Sequence, residues 1–273
     1  MKRPLLLMAA FVLGVGCRKL PETGRRQLNV VPNGYMNDLG VQSYRQVRRE
    51  SNIITTGRDA EILEAVKDRI ATAADNPDYK WRATLFRDNQ TVNAWCMPGG
   101  KIGFYTGILP ILENEAGMAF VMGHEVAHAT LRHGAERMSQ QLVTVGGLGA
   151  LSLYLSNREA ADPQMTTIVL SVLGLGAQVG VLLPYSRLHE SEADRVGLMY
   201  MAKAGYPPQE SIKVWNRMQK NSGGDNPLEF LSTHPSYQTR RQELNQRMGR
   251  ANRLYENNRN RTNGRNVQQT IWR

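Results

Sequence analysis

Two histidines four residues apart sit inside an apolar run, with Met118 to Met122 before them and Val126, Ala127 and Ala129 around them. In a helix, positions i and i+4 share one face, so His124 and His128 can both reach a single ion at about 2 Å from each ring nitrogen. Glu125 lies beside them, placed to take a proton from a water that such an ion activates. The pattern His124-Glu125-Val126-Ala127-His128 arises by chance in roughly one chain in two hundred of this length and histidine content. The plain alternative is a pair of capped or solvated histidines. The apolar flanks oppose it, because they bury the helix, and buried imidazoles need partners. A chain carrying this segment has to build a helical core around a metal.

Two histidines leave zinc short of a ligand. One known solution places a third histidine ten residues after the first, but that position is Gly134, and His133 is one residue out of register. His133 therefore reads as structural or surface. The other solution is an acidic residue on a later helix, and His189-Glu190-Ser191-Glu192-Ala193-Asp194 offers three carboxylates. Glu190 and Asp194 share a face at i, i+4, so one can bind metal while the other orients an imidazole. Glu192 projects elsewhere and reads as a solvated residue or a partner for a nearby arginine.

His124-Glu125-x-x-His128 followed by Ser186-Arg187-x-x-Glu190-x-Glu192-Ala193-Asp194-x-x-Gly197 resembles the gluzincin metallopeptidases related to CAAX prenyl protease type I, HtpX and the Oma-type quality-control proteases. The likeness extends to Asn93-Ala94, Pro98-Gly99-Gly100-x-Ile102 and Thr233-His234-Pro235-x-x-x-x-Arg240, covering about residues 30 to 250. It implies an α+β, mainly helical zincin-like fold with a small sheet whose edge strand flanks the active site. It also implies one Zn2+ per chain on His124, His128 and Glu190, with Asp194 orienting a ligand. His234 and Arg240 would lie near the catalytic centre, assisting the transition state or gating the water. The segment holding Asn93, Ala94, Gly99 and Gly100 would be the edge that pairs with substrate. The multi-span members of the family differ from this chain, which has at most two candidate spans. The resemblance is closer to the bacterial envelope lipoproteins that degrade misfolded or unassembled polypeptides, without the helical repeats some of them carry.

The rest of the chain fits that setting. Lys2 and Arg3 precede an apolar run from Leu5 to Val15, too short to span ~30 Å of hydrocarbon, which ends at Gly16-Cys17. This resembles a lipoprotein signal over residues 1–16, with Cys17 lipidated and the protein held at the periplasmic face of the outer membrane. Cys96 is then left without an intramolecular partner and reads as a core residue. Residues 17–32 read as a tether, 33–250 as the metallopeptidase domain, and 251–273 as a basic, disordered tail. Helices are expected over Tyr35–Arg49, Arg58–Ala74, Glu113–Gln141, Met201–Lys220 and Tyr237–Tyr255, interrupted by Gly205-Tyr206-Pro207-Pro208 and Gly223-Gly224. Strands are expected over Trp81–Arg87, Asn93–Met97 and Lys101–Thr106, the last two joined by a tight turn at Pro98-Gly99-Gly100. Leu142–Leu155 and Met165–Leu183 are apolar, and read as helices packed over the domain or lying on a membrane surface, with a transmembrane hairpin as the alternative.

The net charge of +10 suggests nucleic acid at first sight. From Arg240 to the end there are nine Arg, no Lys and two acidic residues, so seven of the ten charges sit there. They are not interleaved with aromatics in a recognisable module, which argues against nucleic acid and for an anionic surface. The other rival is a chaperone-like binding module with little turnover. Such a module has no need of Glu125 between two intact ligands.

Overall fold

The computed structural model describes residues 17–21, 23–141, 186–222, 229–234 and 237–267. The signal segment 1–16 and both apolar stretches, 142–155 and 165–183, lie outside those residues. No helix among the described residues is long and apolar enough to cross a membrane.

The fold is α+β. Strands β1 (Cys17–Lys19) and β2 (Arg26–Leu28) pair with each other and lead into α1 (Asn33–Glu50). Then come β3 (Ile53–Ile54), α2 (Arg58–Ala74), β4 (Arg82–Phe86), β5 (Ala94–Met97) and β6 (Lys101–Tyr105). The last four strands form one sheet in the order β3-β4-β6-β5, with β4 and β6 parallel and the other two neighbouring pairs antiparallel. This places β5 at the edge. Its hairpin with β6 turns at Gly99 and Gly100, which take φ of 81° and 77°, a backbone region that glycine enters at no steric cost. In α2, Ile62, Val66 and Ile70 form the expected apolar line and are fully buried.

Helices dominate the other layer: α3 (Leu109–Leu112), α4 (Glu115–Thr130), α5 (133–141), α6 (Arg187–Lys203), α7 (Glu210–Asn221), α8 (Glu229–Thr233) and α9 (Tyr237–Glu256). Asn114 caps α4 by accepting from the Gly117 amide at 2.9 Å, and Ser186 caps α6 by accepting from the His189 amide at 3.2 Å. Helix α4 is buried on nearly every side, touching α2, α6, α7 and β5. It crosses α6 at two glycines. A Cβ on Gly197 would stand 2.7 Å from the His124 amide nitrogen, and one on Gly123 would stand 2.8 Å from the Gly197 carbonyl. That close approach lets short carboxylate side chains on α6 reach imidazoles on α4.

Three expectations are corrected. Glu113–Gln141 is not one helix. The chain breaks at Leu131 and Arg132, where Arg132 has φ 59°, a conformation that costs a non-glycine residue about 1 kcal/mol. Tertiary bonds compensate. Tyr79 Oη donates to the Ala129 carbonyl at 2.8 Å, Gln27 to the Leu131 carbonyl at 3.0 Å, and Arg132 to the Val31 carbonyl at 2.8 Å. The segment expected to be a tether is the β1–β2 hairpin, held to the domain with Leu20 and Val31 buried. The expected disordered tail is ordered as far as Val267. After α9 it returns across α4, with the Glu115 amide donating to the Arg265 carbonyl at 2.9 Å and the Val267 amide to the Glu113 carbonyl at 3.0 Å. Polar composition made both segments look loose, but a few backbone bonds and single apolar anchors hold them.

Candidate metal centre

His124 and His128 project from α4, Glu190 from the first turns of α6, and His234 from the end of α8. Their ligand atoms all lie within 4.8 Å of one another, and all four residues are buried. His128 Nε2 stands 3.1 Å from His124 Nε2, and His234 Nδ1 stands 3.2 Å from the same atom. Glu190 Oε1 lies 3.0 Å from His234 Nδ1 and 3.3 Å from His128 Nε2.

The outer edges of the rings decide what the centre can hold. His124 Nδ1 faces Asp194 Oδ1 at 3.0 Å. A carboxylate only accepts, so the ring hydrogen sits on Nδ1 and a lone pair on Nε2 points inward. His128 likewise turns Nδ1 outward, 2.9 Å from Nδ1 of His133. Imidazole lone pairs and a carboxylate crowded this closely repel unless a cation lies among them. Buried nitrogen and oxygen donors in this number suit Zn2+. The residues fit the metal that the motif implies.

Burial and partners set the charges. Burial pushes the Glu125 carboxyl up to about 7, against the pull of His234, whose Nε2 lies 3.4 Å from Glu125 Oε1. That oxygen has no hydrogen-bond partner among the described residues. Burial acts the same way on Glu190, but His234 and Arg240 overcome it and hold the carboxyl well below its usual range. Burial drives His128 well below the ordinary imidazole value. His124 is instead raised, because its bonds to Asp194 and Glu190 outweigh burial.

Arg240, on α9, does not face an open cleft. It donates to both oxygens of Asp194 at 2.6 and 2.7 Å, pairs with Glu190 Oε2 at 2.6 Å, and lies 4.3 Å above the Trp215 ring. It thereby fixes the two carboxylates, and one guanidinium nitrogen also lies 3.3 Å from His124 Nδ1. Asp194 is thus bound on one side by Arg240 and on the other faces the His124 ring. On the sheet, Asn93 is buried and its Oδ1 accepts from the Ala94 amide at 2.8 Å. Gly99 and Gly100 form the turn itself, and their carbonyls accept from the amides of Lys80 and Arg82 at 3.2 and 2.9 Å. They are thus not part of an open edge, which narrows to Ala94–Met97.

Reading the sequence missed several residues. His133, expected to be structural or on the surface, is buried, and the break at residues 131–132 turns it back onto His128, a contact that no local signal announced. Glu192 is buried and paired with Arg25, as one of its two expected readings had it, and also with His133. Phe230, stacked 4.5 Å from the His234 ring, had no local signal.

A model of peptidase family M48 matches residues 58–248. The chain belongs to this family. Among individual proteins, the mitochondrial metalloendopeptidase OMA1 of Saccharomyces cerevisiae is 39% identical over 189 residues, covering 65% of this chain and 50% of that protein. OMA1 of Schizosaccharomyces pombe is 33% identical over 227 residues, covering 81% of this chain and 63% of that protein. The beta-barrel assembly-enhancing protease of Escherichia coli is 26% identical over 227 residues, covering 81% and 45%. This M48 chain thus spans about half of the relatives' lengths. Its identity to the mitochondrial proteins exceeds that to the bacterial one, so the envelope setting rests on residues 1–17 and not on similarity.

Proposed function

We propose that the chain is a zinc-dependent endopeptidase that cleaves misfolded or unassembled polypeptides. The observation that carries this reading is the convergence of His124, His128 and Glu190 on one point, with Glu125 beside it. When bound there, zinc supplies a Lewis acid that polarises a scissile carbonyl and lowers the pKa of water towards ~7.

The chain's own residues do the rest. Glu125, held near neutrality by burial, takes a proton from water and returns it to the leaving amine. Asp194 and Arg240 keep the His124 ring and the Glu190 carboxylate aimed inward. Substrate selection falls to β5. The Tyr105 amide donates to the Asn93 carbonyl at 3.2 Å, so in the antiparallel register the backbone groups of Asn93, Trp95 and Met97 face β6. Those of Ala94 and Cys96 face the outer edge. An extended peptide added there gains backbone bonds with little demand on its side chains, which suits unfolded substrates. A cleft lined by Asn37, Cys96, Pro98 and His128 opens beside the same strand.

His234 contributes a fourth donor to the set, and a closed four-ligand site leaves no position for water. We expect His234→Phe to keep its metal and to raise turnover at an unchanged melting temperature. Lower turnover at unchanged melting temperature would instead make His234 a transition-state group.

The lipoprotein-like leader supports a location in the bacterial cell envelope, anchored through lipid at Cys17, with membrane contact and no role for nucleic acid. Fatty-acid labelling of the wild type and of Cys17→Ser tests this, because a soluble, unlabelled product cleaved elsewhere would refute it. The activity test is proteolysis of unfolded casein by the purified chain. Binding without cleavage across many unfolded substrates would favour the chaperone-like alternative.

A further inference from the structure

Behind His128 a line of side chains runs outward to the N-terminal hairpin. His128 Nδ1 lies 2.9 Å from His133 Nδ1, and His133 Nε2 lies 3.2 Å from Glu192 Oε2. Glu192 receives Arg25 Nε at 3.0 Å on each of its oxygens. The far edge of the same guanidinium grips Glu136 through two bonds of 2.7 and 2.6 Å. Glu136 in turn meets His189 Nε2 at 3.0 Å, and the His133 and His189 rings stack at 4.3 Å. His133, His189, Glu136 and Glu192 are all buried.

Two carboxylates and two imidazoles together have the donor set of a second metal site. The Arg25 guanidinium already stands between the carboxylates, so the cation of this cluster comes from the chain itself. What the line can do is set the hydrogen on each ring. Glu192 only accepts, so His133 carries its hydrogen on Nε2. A neutral His133 then presents a bare Nδ1 to His128. His128 must carry its own hydrogen on Nδ1, which leaves the Nε2 lone pair directed at the centre. With the opposite tautomer on His133, two Nδ1 hydrogens would meet, or His128 would turn a hydrogen towards the metal.

We propose that His133, Glu192 and Arg25 are positioning residues for the metal ligand His128, and that the β1–β2 hairpin is thereby a working part of the metal centre. They do for His128 what Asp194 and Arg240 do for His124. Arg25 ties the hairpin to α5 and α6 together, so it fixes the distance across which His133 and Glu192 meet. The inference rests on reading the centre as a metal site.

The test uses the purified full chain, stripped of metal and titrated with Zn2+ against a chromophoric chelator. Arg25→Gln and His133→Leu are expected to weaken zinc binding by about 10- to 100-fold, the usual cost of losing such a partner. His133→Asn, whose amide oxygen can take the place of Nδ1 as acceptor, is expected to recover most of that loss. Arg26→Gln changes the same charge on the next, exposed residue of the hairpin and should bind as the wild type does. Co2+ spectra give a second readout: the ligand-field bands should shift in Arg25→Gln and His133→Leu and stay put in Arg26→Gln. Melting of the metal-free proteins separates folding from affinity. If His133→Leu does not fold, Arg25→Gln, which keeps every buried ring, decides.

Wild-type zinc affinity in folded Arg25→Gln, or an equal loss in Arg26→Gln, would overturn the proposal. Failure of the wild-type chain to bind zinc at all would instead overturn the metal reading beneath it.

Discussion

Glu125→Gln should keep its metal and its fold while losing peptide hydrolysis by about 10²- to 10⁴-fold, the usual contribution of a positioned acid–base group. Glutamine has the same shape and reaches the same place, but an amide cannot take the proton. Its effect on stability has a predictable sign. Burial raises the Glu125 carboxyl to about 7. A carboxyl raised on folding costs stability at and above neutral pH, where it must ionise, and that cost fades as pH falls below its folded value. The neutral amide carries no such cost. The variant should therefore melt at or above the wild-type temperature at pH 8. Zinc analysis, casein cleavage and a thermal melt check the three parts together. Wild-type cleavage by this variant would mean that another group is the base.

The second large effect is on stability. Arg240 is buried, pairs with Asp194 and Glu190, and lies over Trp215. Arg240→Met fills much of the space but leaves two buried carboxylates without their cation. Breaking a buried pair in this way costs about 3–5 kcal/mol. At 2–4 °C per kcal/mol for a domain of this size, melting should fall by roughly 10 °C. Metal should partly restore the loss, because a bound cation compensates Glu190 but not Asp194. Scanning calorimetry with and without zinc tests this. A shift of only a degree or two would show that the pair carries little of the fold. An exposed counterpart on the same helix, Arg250→Met, should move the melting point hardly at all.

Where local chemistry decides structure, the sequence already shows it. The Ile62, Val66 and Ile70 line fixes α2 at Arg58–Ala74, and the Pro98-Gly99-Gly100 turn pairs β5 with β6. His124, Glu125 and His128 can be read from their spacing alone, since one helix carries all three. Glu190 and Asp194 needed the resemblance to tell ligand from support. His234 and Arg240 stand more than a hundred residues from His124, and no local pattern joins them to it. What the sequence could not show depends on bonds made only after folding. Arg132 adopts its left-handed turn with neither glycine nor proline to announce it. His133 enters the site only because of that turn. Residues 17–28 and 257–267 look like loose polar chain until Arg25 meets Glu192 and the Glu115 amide meets Arg265.

His124, His128 and Glu190 are expected to hold one zinc ion between them. Elemental analysis of the purified full chain, beside His124→Ala, His128→Ala and Glu190→Ala, tests it most directly. The wild type should carry about one zinc per chain and each variant should lose most of it, with all four proteins folded by circular dichroism. Zinc retained in full by a folded Glu190→Ala, or absent from the wild type after zinc loading, would contradict the claim.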